Sequence, residues 1–446
     1  MQLLVLRSLT VMMIATPLAA QPATSDAQQA WENAAVTARV DAPTASIISS
    51  FIGSHAIRRE TVASGAGHIA VSFLVPEADS PAADRLVEHT ELAIARLVDW
   101  LGPLPTRSLV VVDLPWHAGV AGASYPGVAV TSTRWLSTRR DFATERPLLA
   151  ALARQYTFSI APSDAPWFAE GFALYLGTRL IHEQLEGRNF ETLRYFGGFV
   201  PFSLRSVLNS PSPTDPRPRM RHFRAVEEPA IAPWRSAPAT PGGPAQRTAA
   251  AFHTLERYVG WPAFQQMLEQ FMHRFGGRPA TPVDFAAVAS DVRGRNLSWY
   301  FDQAFRFDSR FDYAIAAFHS NAEPARGFST SVTVRRLGSA IFAGTNEPLV
   351  NGLGRAAALP LLIQFDDDTE ITAWVDGRDT EQTFDYLGPA RASLASVDPD
   401  ATLLLDDDRT NNTRTIGPRS SALGLRLAMN WMIWLQDAML AYTGTL

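Results

Sequence analysis

Trp167-Phe168-Ala169-Glu170-Gly171-Phe172-Ala173-Leu174-Tyr175-Leu176 is the stretch on which the reading of this 446-residue chain turns. Glu170 is its one charged residue, set among side chains that favour a core. The turn Ser163-Asp164-Ala165-Pro166 precedes it, and apolar residues continue behind it, which predicts a helix from Trp167 to Leu185. Another helix is predicted just upstream, over 147–158, with Pro147 in its first turn, where a missing N–H costs nothing. A lone carboxylate thus stands near the start of the second helix of a pair, and its chemistry depends on what the first helix offers.

Outward from the pair, residues 82–101 show helical spacing through Leu86, Leu92, Ala95, Leu97, Val98 and Leu101, closed by Gly102-Pro103, and a buried strand follows at 108–113. Helical periodicity returns over 246–275, 282–292 and 297–305, so residues 81–310 read as a mainly helical unit. Within it, 211–244 is crowded with proline, including Pro211, Pro213, Pro216, Pro218, Pro229 and Pro233, and reads as a surface excursion. Residues 21–80 read as a short β-rich N-terminal region, with Ala70-Val71-Ser72-Phe73-Leu74-Val75 as a strand and Gly65 and Gly67 as turn residues.

Past residue 310 the period changes. Val332-Thr333-Val334, 361–365, 371–375, Thr383-Phe384, Ala392-Ser393-Leu394 and Thr402-Leu403-Leu404-Leu405 alternate with turns such as Asp366-Asp367-Asp368, which predicts an immunoglobulin-like β-sandwich over 311–415. In 416–446, Leu427, Trp431, Trp434, Leu435 and Ala438 recur at helical spacing. This predicts an amphipathic C-terminal helix docked on the protein, with contact to a membrane surface as the alternative use of the same face. The expected fold class is α+β multidomain: a mainly helical domain, a sandwich and a terminal helix.

Composition narrows the function. Zero cysteines and 19% charged residues exclude a disulfide scaffold, a cysteine nucleophile and thiolate zinc sites. A formal charge of −5 supplies no basic field to gather phosphates, so no nucleic-acid partner is expected. Residues 1–20 carry Arg7, an apolar run and then Pro17-Leu18-Ala19-Ala20, the pattern of a secretory signal peptide, with an uncleaved anchor as the alternative. Export is therefore expected, in a bacterium to the periplasm.

The helix pair resembles the zinc helices of the membrane alanyl aminopeptidase family, gluzincin metallopeptidases with a thermolysin-like domain. In that family H-E-x-x-H places two imidazoles one turn apart, and a Glu from an N-E-G-F-A helix is the third ligand; Glu170 occupies that third position here. Further segments are similar in the same order. Gly122-Ala123-Ser124-Tyr125-Pro126-Gly127 resembles the G-x-M-E-N strand, residues 245–260 resemble the Y-x-K-G-A-x-x-L-H-x-L helix, and Asp284-Phe285 with 294–303 resembles the D-F and S-G-x-D-L-x-x-F-F-x-Q-W segments.

What the resemblance requires for hydrolysis is absent. With Arg154-Gln155-Tyr156 set against the end of the zinc helix, the H-E-x-x-H motif falls on Leu149-Ala150-Ala151-Leu152-Ala153, leaving 154–169 before Glu170. The family's slightly longer spacing moves the motif to 147–151, and neither register holds a His or Glu where one is needed. No histidine occurs between His117 and His182. The family's substrate-amine glutamate falls on Ser124, and its transition-state tyrosine on Ala245. A hydroxyl cannot supply the fixed charge that anchors an ammonium, and alanine donates no hydrogen bond to an oxyanion.

The expected activity is therefore that of a secreted, catalytically inactive aminopeptidase-like protein, a pseudo-peptidase without cofactor, in which Gly122, Tyr125 and Glu170 remain to line a cleft for a peptide, a protein or the envelope. One alternative is an active zinc metallopeptidase whose Glu170 is joined by atypical ligands such as His117, His182 or Asp164; another is a structural envelope protein. His182-Glu183-Gln184-Leu185-Glu186 imitates a zinc motif but reads as a solvated face, and His253 as a packed core histidine. The Asp366 and Asp406 triplets lack the Gly and distal Glu of a calcium loop and read as hairpin turns.

Overall fold

A computed structural model describes residues 25–65, 67–133, 145–162, 164–184, 243–305, 309–343, 359–400, 402–409 and 411–416. The signal segment 1–20, the proline-rich excursion up to residue 242 and the terminal helix beyond residue 416 lie outside the described residues.

The first half of the expected β-rich region is helical. Ser25 caps α1 (Asp26–Ala38) by accepting from Gln28 N at 3.2 Å, and Asp41 caps α2 (Ala42–Ile52) by accepting from Thr44 N at 3.0 Å. The Ile and Thr residues of α2 favour strands in isolation. The cap, Pro43 in the first turn, and burial of Ile48 and Ile52 on one face decide for helix. Burying each isoleucine is worth ~1.5–3 kcal/mol, more than the propensity difference.

A five-stranded sheet follows, built from β1 (Ala56–Ser64), β2 (Gly67–Val75), β3 (Ser108–Pro115), β4 (Ser124–Tyr125) and β5 (Val128–Thr133) in the order β1-β2-β3-β5-β4. β1 and β2 form an antiparallel hairpin, whereas β2, β3 and β5 run parallel, β2 reaching β3 through α3 (Pro81–Leu101). Leu74, Val112, Leu114, Val128 and Val130 pack under Trp31, Ile48 and Ile52 of α1 and α2. Phe73, Val111 and Ala129 face the larger core on the other side. Parallel strands buried on both faces explain the unbroken apolar run at 109–112.

That larger core is helical: α4 (Glu145–Thr157), α5 (Pro166–Gln184), α6 (Pro244–Val259), α7 (Trp261–Phe275), α8 (Pro282–Arg293) and α9 (Ser298–Ala304). The expected helix over 246–275 breaks at Gly260, which has φ 84° and is followed by Pro262 in the first turn of α7. α5 lies at the centre. A side chain on Gly171 would meet Thr248 Cγ2 at 2.6 Å and the Ala245 carbonyl at 2.7 Å, and one on Gly177 would meet Ala150 Cα at 3.1 Å. The two glycines therefore let α5 approach α6 and α4 closely. Phe168, Phe172, Phe252, Phe271 and Phe285 interlock around it, with Phe252 and Phe285 centroids 4.9 Å apart.

Two antiparallel sheets complete the described chain. β6 (Tyr313–Glu323), β7 (Gly327–Arg336) and β10 (Glu381–Gly388) pair in the order β10-β7-β6; β8 (Leu359–Phe365), β9 (Glu370–Val375), β11 (Ala392–Val397) and β12 (Thr413–Thr415) pair as β12-β11-β8-β9. The fourth strand, β9, pairs with the third, β8, whereas the constant-type immunoglobulin arrangement pairs the fourth with the fifth. Thr402-Leu403-Leu404-Leu405 is not a strand. Asp398 accepts from Thr402 N and Leu403 N at 2.8 and 2.9 Å, while Leu404 N donates to Thr254 Oγ1 of α6 at 3.0 Å. The leucines are buried against the helical domain instead of pairing along an edge.

Candidate functional site

Arg154 lies in the last turn of α4 and Glu170 near the start of α5, so each charge opposes the partial charge of its own helix end. The two helix ends are adjacent. Arg154 Nε donates to both Glu170 oxygens at 3.0 Å, and Nη2 also donates to Oε1. Nη1 donates to the Gly122 carbonyl at 3.0 Å. The guanidinium thus spans the gap from α5 to the segment leading into β4. Its side chain is 19% exposed, and that of Glu170 is 41% exposed.

Around this bridge the expected ligand positions are apolar. Leu149 and Ala153 are fully buried, and half-buried Ala150 meets α5 at Gly177. In the alternative register, Leu148 and Ala151 are buried and Pro147 stands beside Gly122, where an added Cβ would lie 3.8 Å from the Pro147 Cβ. Ala245 opens α6, its carbonyl beside Gly171, one residue from Glu170. The structure therefore gathers Gly122, Arg154 and Glu170, with Ala245 alongside.

Ser124 and Tyr125 part company, as successive strand residues must. Ser124 Oγ donates to the Ala151 carbonyl at 3.0 Å and accepts from Gln155 Nε2 at 2.9 Å. Tyr125 turns to the other face, among the residues packed with α1 and α2, and its hydroxyl donates to Asp41. That bond lowers the Asp41 carboxyl below its usual range, while burial raises the Tyr125 phenol. Tyr125 is thus a tie between β4 and the N-terminal helices, a correction to its reading as a cleft residue. Gln155 fixes the turn between β4 and β5: Nε2 donates to the Tyr125 and Val128 carbonyls at 3.1 Å, and Oε1 accepts from Gly127 N at 2.8 Å.

Zinc, which the sequence resemblance brings with it, does not fit these residues. Both Glu170 oxygens are engaged by a fixed positive charge that would repel a second cation, and the facing turns of α4 are aliphatic. Among the described residues, no group of three or more His, Cys, Asp or Glu side chains could hold a metal ion. His182 and Glu183 fall in the last turn of α5, and the rest of that imitation motif lies outside the described residues.

A second polar cluster sits further along α5. Glu256 of α6 accepts from the Tyr175 hydroxyl at 2.8 Å and from Arg179 Nη1 at 2.7 Å, with His253 Nδ1 at 3.8 Å; the Arg179 guanidinium lies 3.9 Å over the Trp261 ring. Burial pushes the Glu256 carboxyl up, but His253, Arg179 and Tyr175 together outweigh it, and the net direction is down. Tyr175 is driven well above the ordinary phenol range by burial and the neighbouring carboxylate. His253 is buried against the Tyr175 ring, with centroids 4.6 Å apart.

The residue that sequence reading missed as a site component is Arg154. A cation in the last turn of one helix and an anion early in the next was the available signal, because a short turn brings those ends together.

The described residues thus define a mixed five-stranded sheet flanked by helices, with the α4–α5 pair at its β4 edge, joined to a two-sheet sandwich. Among solved structures, the chain is similar in fold to aminopeptidase A of Legionella pneumophila, in complex with aspartic acid, at 16% identity and TM-score 0.49, covering 86% of this chain and 41% of that one. It is also similar to the M1 zinc metallopeptidase of Deinococcus radiodurans, at 19% identity and TM-score 0.38, covering 56% of this chain and 51% of that one. The chain therefore spans less than two thirds of each of these proteins. No family model and no curated protein matches it.

Proposed function

We propose that this chain is a catalytically inactive aminopeptidase-like protein, a pseudo-peptidase that acts by binding. The observation that carries the reading is the Arg154 bridge: a guanidinium engages the carboxylate at the ligand position and reaches on to the Gly122 carbonyl. In a hydrolytic site of the resembled kind, a metal lowers the pKa of a water and a neighbouring Glu takes its proton. Here Arg154 can donate hydrogen bonds but cannot take a proton at neutral pH. The positions that would supply imidazole, base, amine anchor and oxyanion donor are Leu149, Ala150, Ala153, Ser124 and Ala245.

The remaining site groups favour recognition over turnover. Glu170 keeps part of its surface exposed, and Arg154 holds it in one orientation. A peptide or protein is the proposed partner and the exported side of the envelope the proposed location, from the leader-like pattern of residues 1–20. No described helix is long and apolar enough to cross a membrane.

The deciding experiment measures zinc content and hydrolysis of aminoacyl anilides by the purified protein as produced. The expected result is substoichiometric zinc and no turnover above buffer. Chelator-sensitive turnover with one zinc per chain, lost in Glu170→Ala, overturns the proposal and establishes the atypical-ligand peptidase instead.

A further inference from the structure

The edge strands of the described sheets are guarded against further pairing, with one exception. β1 carries Arg58, Arg59 and Glu60, β10 carries Glu381 and Asp385, β4 and β12 are two and three residues long, and β6 breaks its register between Ile315 and Ala317. β9 has none of these devices along Ile371-Thr372-Ala373-Trp374-Val375, a stretch without charge, proline or bulge, and among the described residues it pairs only with β8. Pro360 of β8 shows which backbone groups this leaves open. It has no N–H, and its carbonyl accepts from Asp398 N, just past β11, at 2.8 Å, so Pro360 and Trp374 face each other without backbone bonds between them. Alternation then turns the N–H and C=O of Glu370, Thr372 and Trp374 away from β8. Along the same side, Ile371 on the inner face and Trp374 on the outer face are left 38% and 37% exposed.

We propose that β9 is a docking edge for a segment of another protein, added to the sheet as one more strand in which apolar residues alternate with lysine or arginine. Charge selects this occupant. Asp366-Asp367-Asp368 and Glu370 stand at one end of β9 and Asp376 and Asp379 at the other, with Arg378 the one cation among residues 366–379. Two copies of the chain paired through β9 would set carboxylates against carboxylates in either orientation, whereas a basic strand meets both ends with the opposite sign. An added strand lies ~4.8 Å from its neighbour. At that distance its inward residues cover Ile371 and Ala373, and its outward ones reach Glu370 and Trp374, whose ring face also attracts a cation. The edge belongs to the sandwich and not to the Glu170 cleft, so it does not rest on the pseudo-peptidase reading.

The probe is a capped, fluorescently labelled peptide of alternating lysine and valine, titrated into the full chain and followed by polarisation and hydrogen exchange. Saturable binding is expected, with the Thr372 and Trp374 amides exchanging freely in the unbound protein and at least tenfold more slowly once peptide saturates it. The same peptide N-methylated at every residue keeps its charge but loses its donors, and should bind at least tenfold more weakly. Thr372→Pro removes one outward donor and spares the β8–β9 ladder, so it should weaken binding by a similar factor with an unchanged circular dichroism spectrum. Equal binding of the N-methylated peptide overturns the proposal by showing charge attraction alone. So do slow exchange of both amides without peptide, which means that the edge is already covered, and a dimer of the chain that Thr372→Pro dissociates, which means a second copy on β9. Absence of saturable binding overturns it outright.

Discussion

α5 carries two arginine–glutamate contacts with opposite characters. Near its start Glu170 meets Arg154 at the surface of the helix pair, its side chain 41% exposed. Near its end Arg179 meets Glu256, whose side chain is 12% exposed and also bound by Tyr175. The same pair of residue types serves two purposes because water reaches the carboxylate of one far more than that of the other, the two arginines being about equally exposed. The less exposed pair holds α5 to α6, since removing Arg179 leaves a largely buried carboxylate without its cation. The exposed pair contributes little to stability. Its effect is chemical: it commits the Glu170 carboxylate to an organic cation.

The largest test of this contrast is Arg179→Met, which leaves Glu256 buried without its cation and is expected to cost ~3–5 kcal/mol in urea unfolding. An effect no larger than that of Arg154→Met would remove the distinction. Next comes a pH effect that contrasts two buried carboxyls. Asp406 accepts from Tyr313 N at 3.3 Å, Asp408 N at 3.1 Å and Asn412 Nδ2 at 3.1 Å, and burial pushes its carboxyl up to about 8. A folded-state value raised above the ordinary 3.8 means that the folded protein holds a proton the unfolded chain releases. Stability from this group is therefore present below that value and lost as pH rises towards about 8. Asp406→Asn should flatten this slope in thermal unfolding between pH 5 and 8; an unchanged slope would show that the carboxyl is already ionised by its three donors. Glu256, lowered on balance, acts with the opposite sign, its contribution present above the usual carboxylate range and lost as pH falls through its own lower value.

A middle-sized effect is expected at the crossing of α5 and α6. Gly171→Ala drives a methyl group into Thr248 and the Ala245 carbonyl, at a cost of about 1–3 kcal/mol measured by denaturant midpoint. A neutral result would mean that the helices can separate without loss. Least of all, Arg154→Met should cost about 1 kcal/mol, because its partner stays in contact with solvent. It should also leave the protein unable to retain zinc through a desalting column, since freeing one carboxylate supplies only one of the ligands a catalytic ion uses. Retention of one zinc per chain in this variant would show that further ligands stand nearby.

Much of the architecture was legible along the chain where a strong local signal agreed with burial. Apolar residues at helical spacing and the Gly102-Pro103 stop marked α3, and short apolar runs between turns marked β8 and β9. It failed where a local preference lost to a distant partner. The isoleucines and Thr44 of 42–52 look like a strand until Asp41 caps them and a sheet face buries Ile48 and Ile52. Leu403 to Leu405 look like a strand until Asp398 and Thr254 take their N–H groups. The second aspartate triplet, expected to be a hairpin turn, is largely buried, with Asp406 beside Phe311 and Asn412. β6 went unread because its burial alternation is interrupted by an irregularity between Ile315 and Ala317.

By itself the sequence determined which side chain stands at each position, and the identity of a side chain fixes whether it can ligate, accept a proton or carry charge. No packing turns Leu149, Ala150 or Ala153 into a ligand. Only the tertiary structure decided what became of the groups that remained. Glu170 could have faced water, a metal or a helix end; the approach of α4 and the Gly122 carbonyl gave it Arg154. Tyr125 could have lined a cleft, yet the alternation of β4 and the position of α2 gave it to Asp41. Those outcomes depend on distances between residues far apart in the chain, which local preference does not encode.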